Sequence, residues 1–257
     1  MSLIAKLARL KRKIIKTPPI KDKRLPTYWL HQLLIGRTAF VCQIGSNDGK
    51  TGDPLYDLLQ KNKEWKALFV EPVPYLFDKL KINYGTNHRF TFENVAINNG
   101  DKLTFYWVDP QAKKAIENLP PWYDQLGSFD KQHILNHLDG KLAPFILSEE
   151  LECITLPHLL ERNQIARVDI LHIDTEGYDW NILSQFDFKK YATQFILFEK
   201  RHLSTEEVRL ANDYLKSQFQ LFDLGMDMLA VSKSIGDSKL TEMERKMKFF
   251  DVAALSQ

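Results

Sequence analysis

From residue 38 onward the chain alternates short apolar runs with amphipathic ones, and this rhythm restricts the fold more than any other property of the sequence. Residues 38–44, 66–71 and 90–97 read as strands that are apolar on both faces. Between them, 54–61 (Leu55, Leu58 and Leu59 on one side) and 75–84 (Leu76, Phe77 and Leu80) carry helical spacing. Doubly buried strands separated by helices imply a mainly parallel sheet covered on both faces. The rhythm then breaks. Residues 103–108 read as an extra strand, and 109–148, interrupted by Pro120, Pro121, Gly127 and Pro144, are long for a connection and suit an inserted cap. Its aromatics, Trp107, Trp122, Tyr123, Phe129 and Phe145, are divided between a cap core and a substrate lining.

The core pattern resumes with expected strands at 152–156, 168–174 and 194–199 and a helix at 179–186. Ser204 and Glu207 stand in capping-box relation at the start of a helix reaching about residue 217. Residues 219–224 and 228–231, around Gly225-Met226-Asp227, suit a closing antiparallel pair, and 241–250 a terminal helix or arm. The expected organisation is a basic arm at 1–24, a cofactor-binding domain at 25–240 with 109–148 as its substrate cap, and a C-terminal helix or arm at 241–257.

Charge divides the 257-residue chain. Residues 1–24 hold nine Lys/Arg and one acid, whereas the whole carries only +2. The small total gives no reason to expect nucleic-acid binding. In 2–16, apolar residues at helical spacing alternate with bases, which suits a solubilising arm, a partner contact or peripheral attachment to an anionic membrane through residues 1–16. No run approaches the roughly 18 apolar residues of a membrane-spanning helix. The basic leader also lacks the continuous apolar stretch of a secretory signal. Cys42 and Cys153 lie far apart in apolar runs, so no disulfide framework is expected and a reducing, cytoplasmic compartment is, with any membrane contact at the inner face.

The sharpest chemical signal follows the first strand: Gln43-Ile44-Gly45-Ser46-Asn47-Asp48-Gly49. Glycines here allow a tight bend and close approach of backbone to a bulky ligand. Asn47 and Lys50 stand where a dinucleotide fingerprint needs glycine, and no Gly-Lys-Ser/Thr follows, which disfavours NAD, FAD, ATP and GTP. Glu71, followed by Pro72, ends the second strand, where an acid can accept both hydroxyl hydrogens of an unphosphorylated ribose. A second cluster, His172-Ile173-Asp174-Thr175-Glu176-Gly177, ends another strand, with His172 and Asp174 on one face. The next strand ends in Glu199-Lys200-Arg201-His202. The two acidic termini can converge on a substrate hydroxyl, a cofactor ammonium or a divalent cation. His31, His88, His133, His137 and His158 show no spacing that identifies a metal site, although the cap can bring His133 or His137 toward substrate.

Taken together, Gly45 to Gly49, Val70-Glu71-Pro72-Val73-Pro74, Asn94-Val95-Ala96-Ile97 and Ile173-Asp174-Thr175-Glu176-Gly177 resemble the FkbM family of methyltransferases, over roughly residues 38–232. The resemblance implies a Rossmann-like class I methyltransferase fold, a mainly parallel seven-stranded sheet with a closing antiparallel strand, and S-adenosylmethionine as cofactor. It implies that Gly45, Asn47 and Gly49, with Gln43 and Ser46, surround the methionine portion. Glu71 and Pro72 would meet the ribose, Ala96 would lie near adenine, and Asp174 and Glu176 would line the methyl-transfer pocket. Gln43 stands where the family usually has an acid, and His172 where it commonly has Lys.

The resulting expectation is an O-methyltransferase acting on a hydroxyl of a sugar, glycan or other small polar metabolite. Asp174 and His202 are the base candidates, and Glu176 and Glu199 serve orientation or electrostatics. A metal-assisted variant would draw ligands from Asp174, Glu199 and His202, but a dedicated metal site is not favoured. A noncatalytic adapter at a membrane surface is the third reading. Neither the acceptor nor the oligomeric state is legible.

Overall fold

The structure is a computed structural model that describes residues 22–247 except residue 152. Seven strands form the central sheet: β1 (Phe40–Ile44), β2 (Lys66–Val70), β3 (Phe90–Glu93), β6 (Ile170–Ile173), β7 (Phe195–Glu199), β8 (Phe219–Asp223) and β9 (Asp227–Ser232). Their order is β3-β2-β1-β6-β7-β9-β8. β1, β2, β3, β6 and β7 pair in parallel, and β9 runs antiparallel to both of its neighbours. This is the expected class I methyltransferase arrangement. The order reverses between β1 and β6, so a ligand crevice opens at the carboxyl ends of those two strands.

Strand alternation sends side chains to two cores. Val41, Ala67, Phe69, Ile170, Phe195 and Leu197 face one side, buried against α1 (Pro26–Leu34), α2 (Tyr56–Lys61), α3 (Pro74–Tyr84) and α9 (Asp237–Met247). Cys42, Ile44, Leu68, Val70, Leu171, Ile173 and Ile196 face α6 (Leu156–Arg162), α7 (Asp179–Leu183) and α8 (Thr205–Leu215) on the other. Both cysteines are free and buried. At the amino end of the sheet, Asp169, 1% exposed, accepts from Phe40 N through Oδ2 (2.9 Å), while its carbonyl accepts from Phe195 N (3.0 Å). One residue therefore registers β1, β6 and β7, which fixes how their opposite ends meet. Ser204 and Glu207 form the expected capping box on α8.

The insertion is an antiparallel ribbon of β4 (Leu103–Val108) and β5 (Ile146–Leu151), with α4 (Ala112–Ala115) and α5 (Lys131–Leu135) between. Val108, Ala112, Tyr123, Leu126, Ile134 and Leu142 give it a small core of its own. Phe105 and Trp107 pack on Val73 and Leu76 at the start of α3. Tyr123 and Phe145 thus belong to the cap core, Trp107 packs between the ribbon and α3, and Trp122 is 40% exposed.

Several boundaries differ from expectation. The third strand stops at Glu93, after which only the Ile97–Ile154 bridge continues the pairing. The strand expected at 152–156 is Ile146–Leu151 instead, because β4 offers a partner there, and Thr155 caps α6 by accepting from His158 N. Helix α1, which buries Trp29, Leu30 and Leu34, was not anticipated. The amphipathic run at 2–16 lies outside the described residues. Among those described, no helix is long and apolar enough to cross a membrane.

Candidate functional site

Beyond β1 the backbone turns at Gly45 (φ 78°) and Asn47 (φ 49°). A Cβ on Gly45 would lie 1.7 Å from the carbonyl oxygen of Asp174, so glycine is what lets the loop after β1 rest directly on the backbone after β6. Gly45 N and Ser46 N both donate to Val70 O (3.0 Å each). Ser46 Oγ donates to Gln43 O and accepts from Val70 N. Asn47 N donates to Glu71 Oε2 (2.7 Å) and Val73 N to Glu71 Oε1 (2.8 Å). These two amides use part of the carboxylate's acceptor capacity and leave lone pairs for a ligand. Burial pushes Glu71 up to about 7, against the opposing pull of the two amides.

Three contiguous lobes open at the crevice. The first is bounded by Gly45, Asn47, Glu71 and Pro72, floored by Val95 and Ile97, and roofed by Phe105, Gly127 and Phe129 of the insertion. The second is polar: Gln43, Ser46, Asp53 and His172 line it. Gln43 Oε1 and His172 Nδ1 are buried there with no hydrogen-bond partner among the described residues. Burial draws His172 down to about 4, a neutral imidazole, and raises Asp53 to about 7. The third contains Trp122, His137, Glu176, Glu199, Arg201 and His202. Asp174 borders the first and second lobes, Glu176 the first and third, and Gln125 of the insertion all three.

Carboxylates crowd the junction. Burial, reinforced by Glu176, Asp179, Asp227 and Asp53, raises Asp174 well above the ordinary carboxylate range. Glu199 is pushed up to about 10 by burial and then by Asp174 and Glu176. Asp179 ties the two acidic strand ends together, accepting from Thr175 Oγ1 (2.9 Å) and Glu199 N (3.2 Å). Glu176 (φ 53°) reaches His133 Nε2 at 3.0 Å and His202 Nε2 at 3.3 Å, and Glu199 Oε1 lies 3.8 Å from His202 Nε2. Burial lowers the His202 pKa, with Glu176 opposing.

The geometry brings Gln43, Gly45, Ser46, Asn47, Glu71, Pro72 and Asp174 around the first two lobes, and Glu176, Glu199 and His202 around the third. Two placements differ from expectation. A Cβ on Gly49 would meet Leu80 and Tyr84, so its lack of a side chain serves packing against α3, and Gly49 does not line the three lobes. Ala96 is buried and holds the loop through its carbonyl to Ile154 N, leaving its neighbours Val95 and Ile97 to line the cleft. The cation ligand set is also altered: Glu199 and His202 gather with Glu176, not with Asp174.

Two features, Asp53 and Gln125, escaped the sequence reading. Asp53, ten residues after Gln43, supplies a carboxylate in the lobe where Gln43 lacks one. Gln125 reaches back to Thr51 O (2.9 Å) and closes the junction. The cap does bring His133 and His137 toward the third lobe, where both rings pack with His202.

The methyltransferase FkbM domain model matches residues 43–229. No curated protein matches the chain. Similar solved structures include a fibrillarin pre-rRNA processing protein of Methanococcus jannaschii (10% identity, 85% of this chain and 86% of that one, TM-score 0.39). Others are a human methyltransferase 10 domain containing protein (12%, 85% and 85%, 0.39) and a TehB-like S-adenosylmethionine-dependent methyltransferase of Corynebacterium glutamicum (12%, 89% and 95%, 0.37).

The Gly45 contact is directly testable. Gly45→Ala combines a positive φ with a backbone clash and is expected to cost at least about 2 kcal/mol of stability. Guanidinium unfolding reads this, and an unchanged midpoint and slope would contradict the backbone contact.

Proposed function

The chain belongs to the methyltransferase FkbM domain family, and from that premise we propose that it is an S-adenosylmethionine-dependent O-methyltransferase in which the first two lobes hold the donor and the third receives the hydroxyl acceptor. The observation that carries this reading is the meeting of Gly45, Glu71 and Asp174 around one cleft. The donor suits the side chains present. Glu71 has lone pairs free for two ribose hydroxyls. In the polar lobe, Asp53 and the unpartnered Gln43 Oε1 can receive an ammonium group, which answers the missing acid at position 43. Val95, Ile97 and Phe129 offer apolar surface for a base.

Bound S-adenosylmethionine supplies an electrophilic methyl group on a positively charged sulfur. Asp174 stands where the two donor lobes meet, so a cation there favours its ionised form and offsets the burial that otherwise keeps it protonated. Its carboxylate can then take the proton of an attacking hydroxyl while Glu176 and Gln125 orient the acceptor. Phe105, Gly127 and Phe129 of the insertion keep water from the transfer path. His202 in the third lobe is the second base candidate. The acceptor class is a sugar, glycan or other small polar hydroxyl compound.

Incubation with methyl-labelled S-adenosylmethionine and fractionated polar metabolites is expected to label a hydroxyl compound. Asp174→Asn should lower kcat by about 100-fold or more while S-adenosylhomocysteine affinity stays within a few-fold. Unchanged kcat would remove Asp174 from proton transfer.

A pH dependence follows from Glu71 and Asp53. Both carboxyls hold protons up to about pH 7 in the free protein, and ribose hydroxyls and an ammonium prefer the ionised forms. Binding therefore expels up to two protons, and affinity for S-adenosylhomocysteine should rise with pH below 7, by up to about a hundredfold per pH unit, and level off above it. Calorimetry in buffers of different ionisation enthalpy measures this, and Glu71→Gln should lower the number of protons released by about one and make the rise shallower. A flat wild-type profile would contradict it.

Peripheral membrane contact through residues 1–16 is a separate proposal, supported by the nine Lys/Arg against one acid in 1–24. Deleting 1–16 should reduce sedimentation with anionic vesicles and leave turnover of a soluble acceptor unchanged. Equal sedimentation of both forms would dispose of it.

A further inference from the structure

We propose that His133, His137, His202 and Glu176 form a binding site for one divalent transition-metal ion of the zinc class, which clasps the insertion to the ends of the sheet at the acceptor lobe. The proposal goes beyond the transferase reading, because the ion would be held whether or not the chain turns over a substrate.

The four side chains come from separate parts of the chain. His133 lies on α5 and His137 just beyond it, both in the insertion; Glu176 follows β6 and His202 follows β7. One nitrogen from each of the three histidines falls within 4.8 Å of the others, and Glu176 joins them through His133 and His202. Ring centroids are 4.7 Å apart for His133–His137 and for His133–His202, and 5.9 Å for His137–His202.

Hydrogen bonding does not account for the cluster. The His133 side chain is only 9% exposed, and its Nε2 stands 3.0 Å from Glu176 Oε2 yet has no aligned hydrogen-bond partner among the described residues. Such a pair, close together but not pointing at one another, is what two ligands directed at a common third point produce. Ligand atoms on a tetrahedral ion at about 2.1 Å lie about 3.4 Å apart. The observed His133–Glu176 and His202–Glu176 separations, 3.0 and 3.3 Å, are near that edge.

The outer contacts also suit an ion. His137 Nδ1 lies 2.8 Å from His133 O, and since a carbonyl only accepts, Nδ1 must carry the proton. In the neutral ring the lone pair is therefore on Nε2, the nitrogen left to ligate, and the bond fixes both tautomer and ring orientation. Glu199 Oε1 stands 3.8 Å from His202 Nε2, and its other oxygen, Oε2, is buried without a hydrogen-bond partner among the described residues. It places a further carboxyl group beside the ligand set. Three imidazoles with one carboxylate select zinc-like ions over magnesium or calcium, which take oxygen ligands.

The test is made on untagged full-length protein stripped by a chelator and titrated with Zn²⁺ and, as a spectroscopic probe, Co²⁺. The expected result is one ion per chain, visible Co²⁺ absorption bands of a low-coordinate nitrogen-rich site, and slower amide exchange in residues 128–142. His133→Asn/His137→Asn should weaken Co²⁺ binding by at least about 100-fold with an unchanged far-ultraviolet spectrum. If that variant fails to fold, His202→Asn, on the opposite side of the cluster, is required to show the same loss. A wild-type protein that binds neither ion, or folded variants that bind Co²⁺ as well as wild type, would overturn the site. The readout is metal on the protein, so failure of methyl transfer leaves this proposal standing and failure of metal binding leaves the donor cleft standing.

Discussion

The architecture of the site depends on one close approach of backbone to backbone. Because Gly45 has no side chain, the loop after β1 settles on the carbonyl of Asp174, and the carboxyl ends of β1 and β6 meet without an intervening layer. The same loop presents Asn47 N to Glu71, which is in turn held by Val73 N. Three segments distant in sequence thereby become one wall. Asp169 enforces the register at the other end of the sheet, so the meeting is built in from both ends of the strands.

Electrostatics then divides the crevice into functions. Glu71 and Asp53 are each held near pKa 7 by burial, Glu199 is pushed up to about 10, and Asp174 stands well above the ordinary carboxylate range. Such a concentration of carboxyl groups is unfavourable in the free protein unless some are protonated. Cations change that balance. A sulfonium with its ammonium would relieve the side facing Asp174 and Asp53, and a metal ion clasped by the cap histidines would relieve the side facing Glu176 and Glu199. The insertion takes part in both regions, through Phe105 and Phe129 over the first lobe and through His133 and His137 at the third.

Much of this was legible in the sequence because it is local. Short runs apolar on both faces identified the strands now seen to feed two cores, the Gly45-x-Asn47 bend announced a tight turn, and Ser204 with Glu207 announced a helix start. What was not legible depends on tertiary approach. Asp53 enters the polar lobe only because the stretch after the bend doubles back beside Gln43, and Gln125 arrives from an insertion with no periodicity. Gly49 and Ala96 carried motif signals, yet the structure uses them for packing and for holding a loop. His133 and His137 show no telling spacing by themselves, because the partners that give the pair meaning lie on the loops after β6 and β7, far along the chain.

The central claim is that one adenosyl donor lies across the wall formed by Gly45, Glu71 and Asp174. A crystal structure of the full chain with S-adenosylhomocysteine tests it most directly. The account predicts both ribose hydroxyls within hydrogen-bond distance of Glu71, the sulfur beside Asp174 and the amino group facing Asp53. A ligand seated elsewhere, or a cleft that stays empty at saturating concentration, would contradict it.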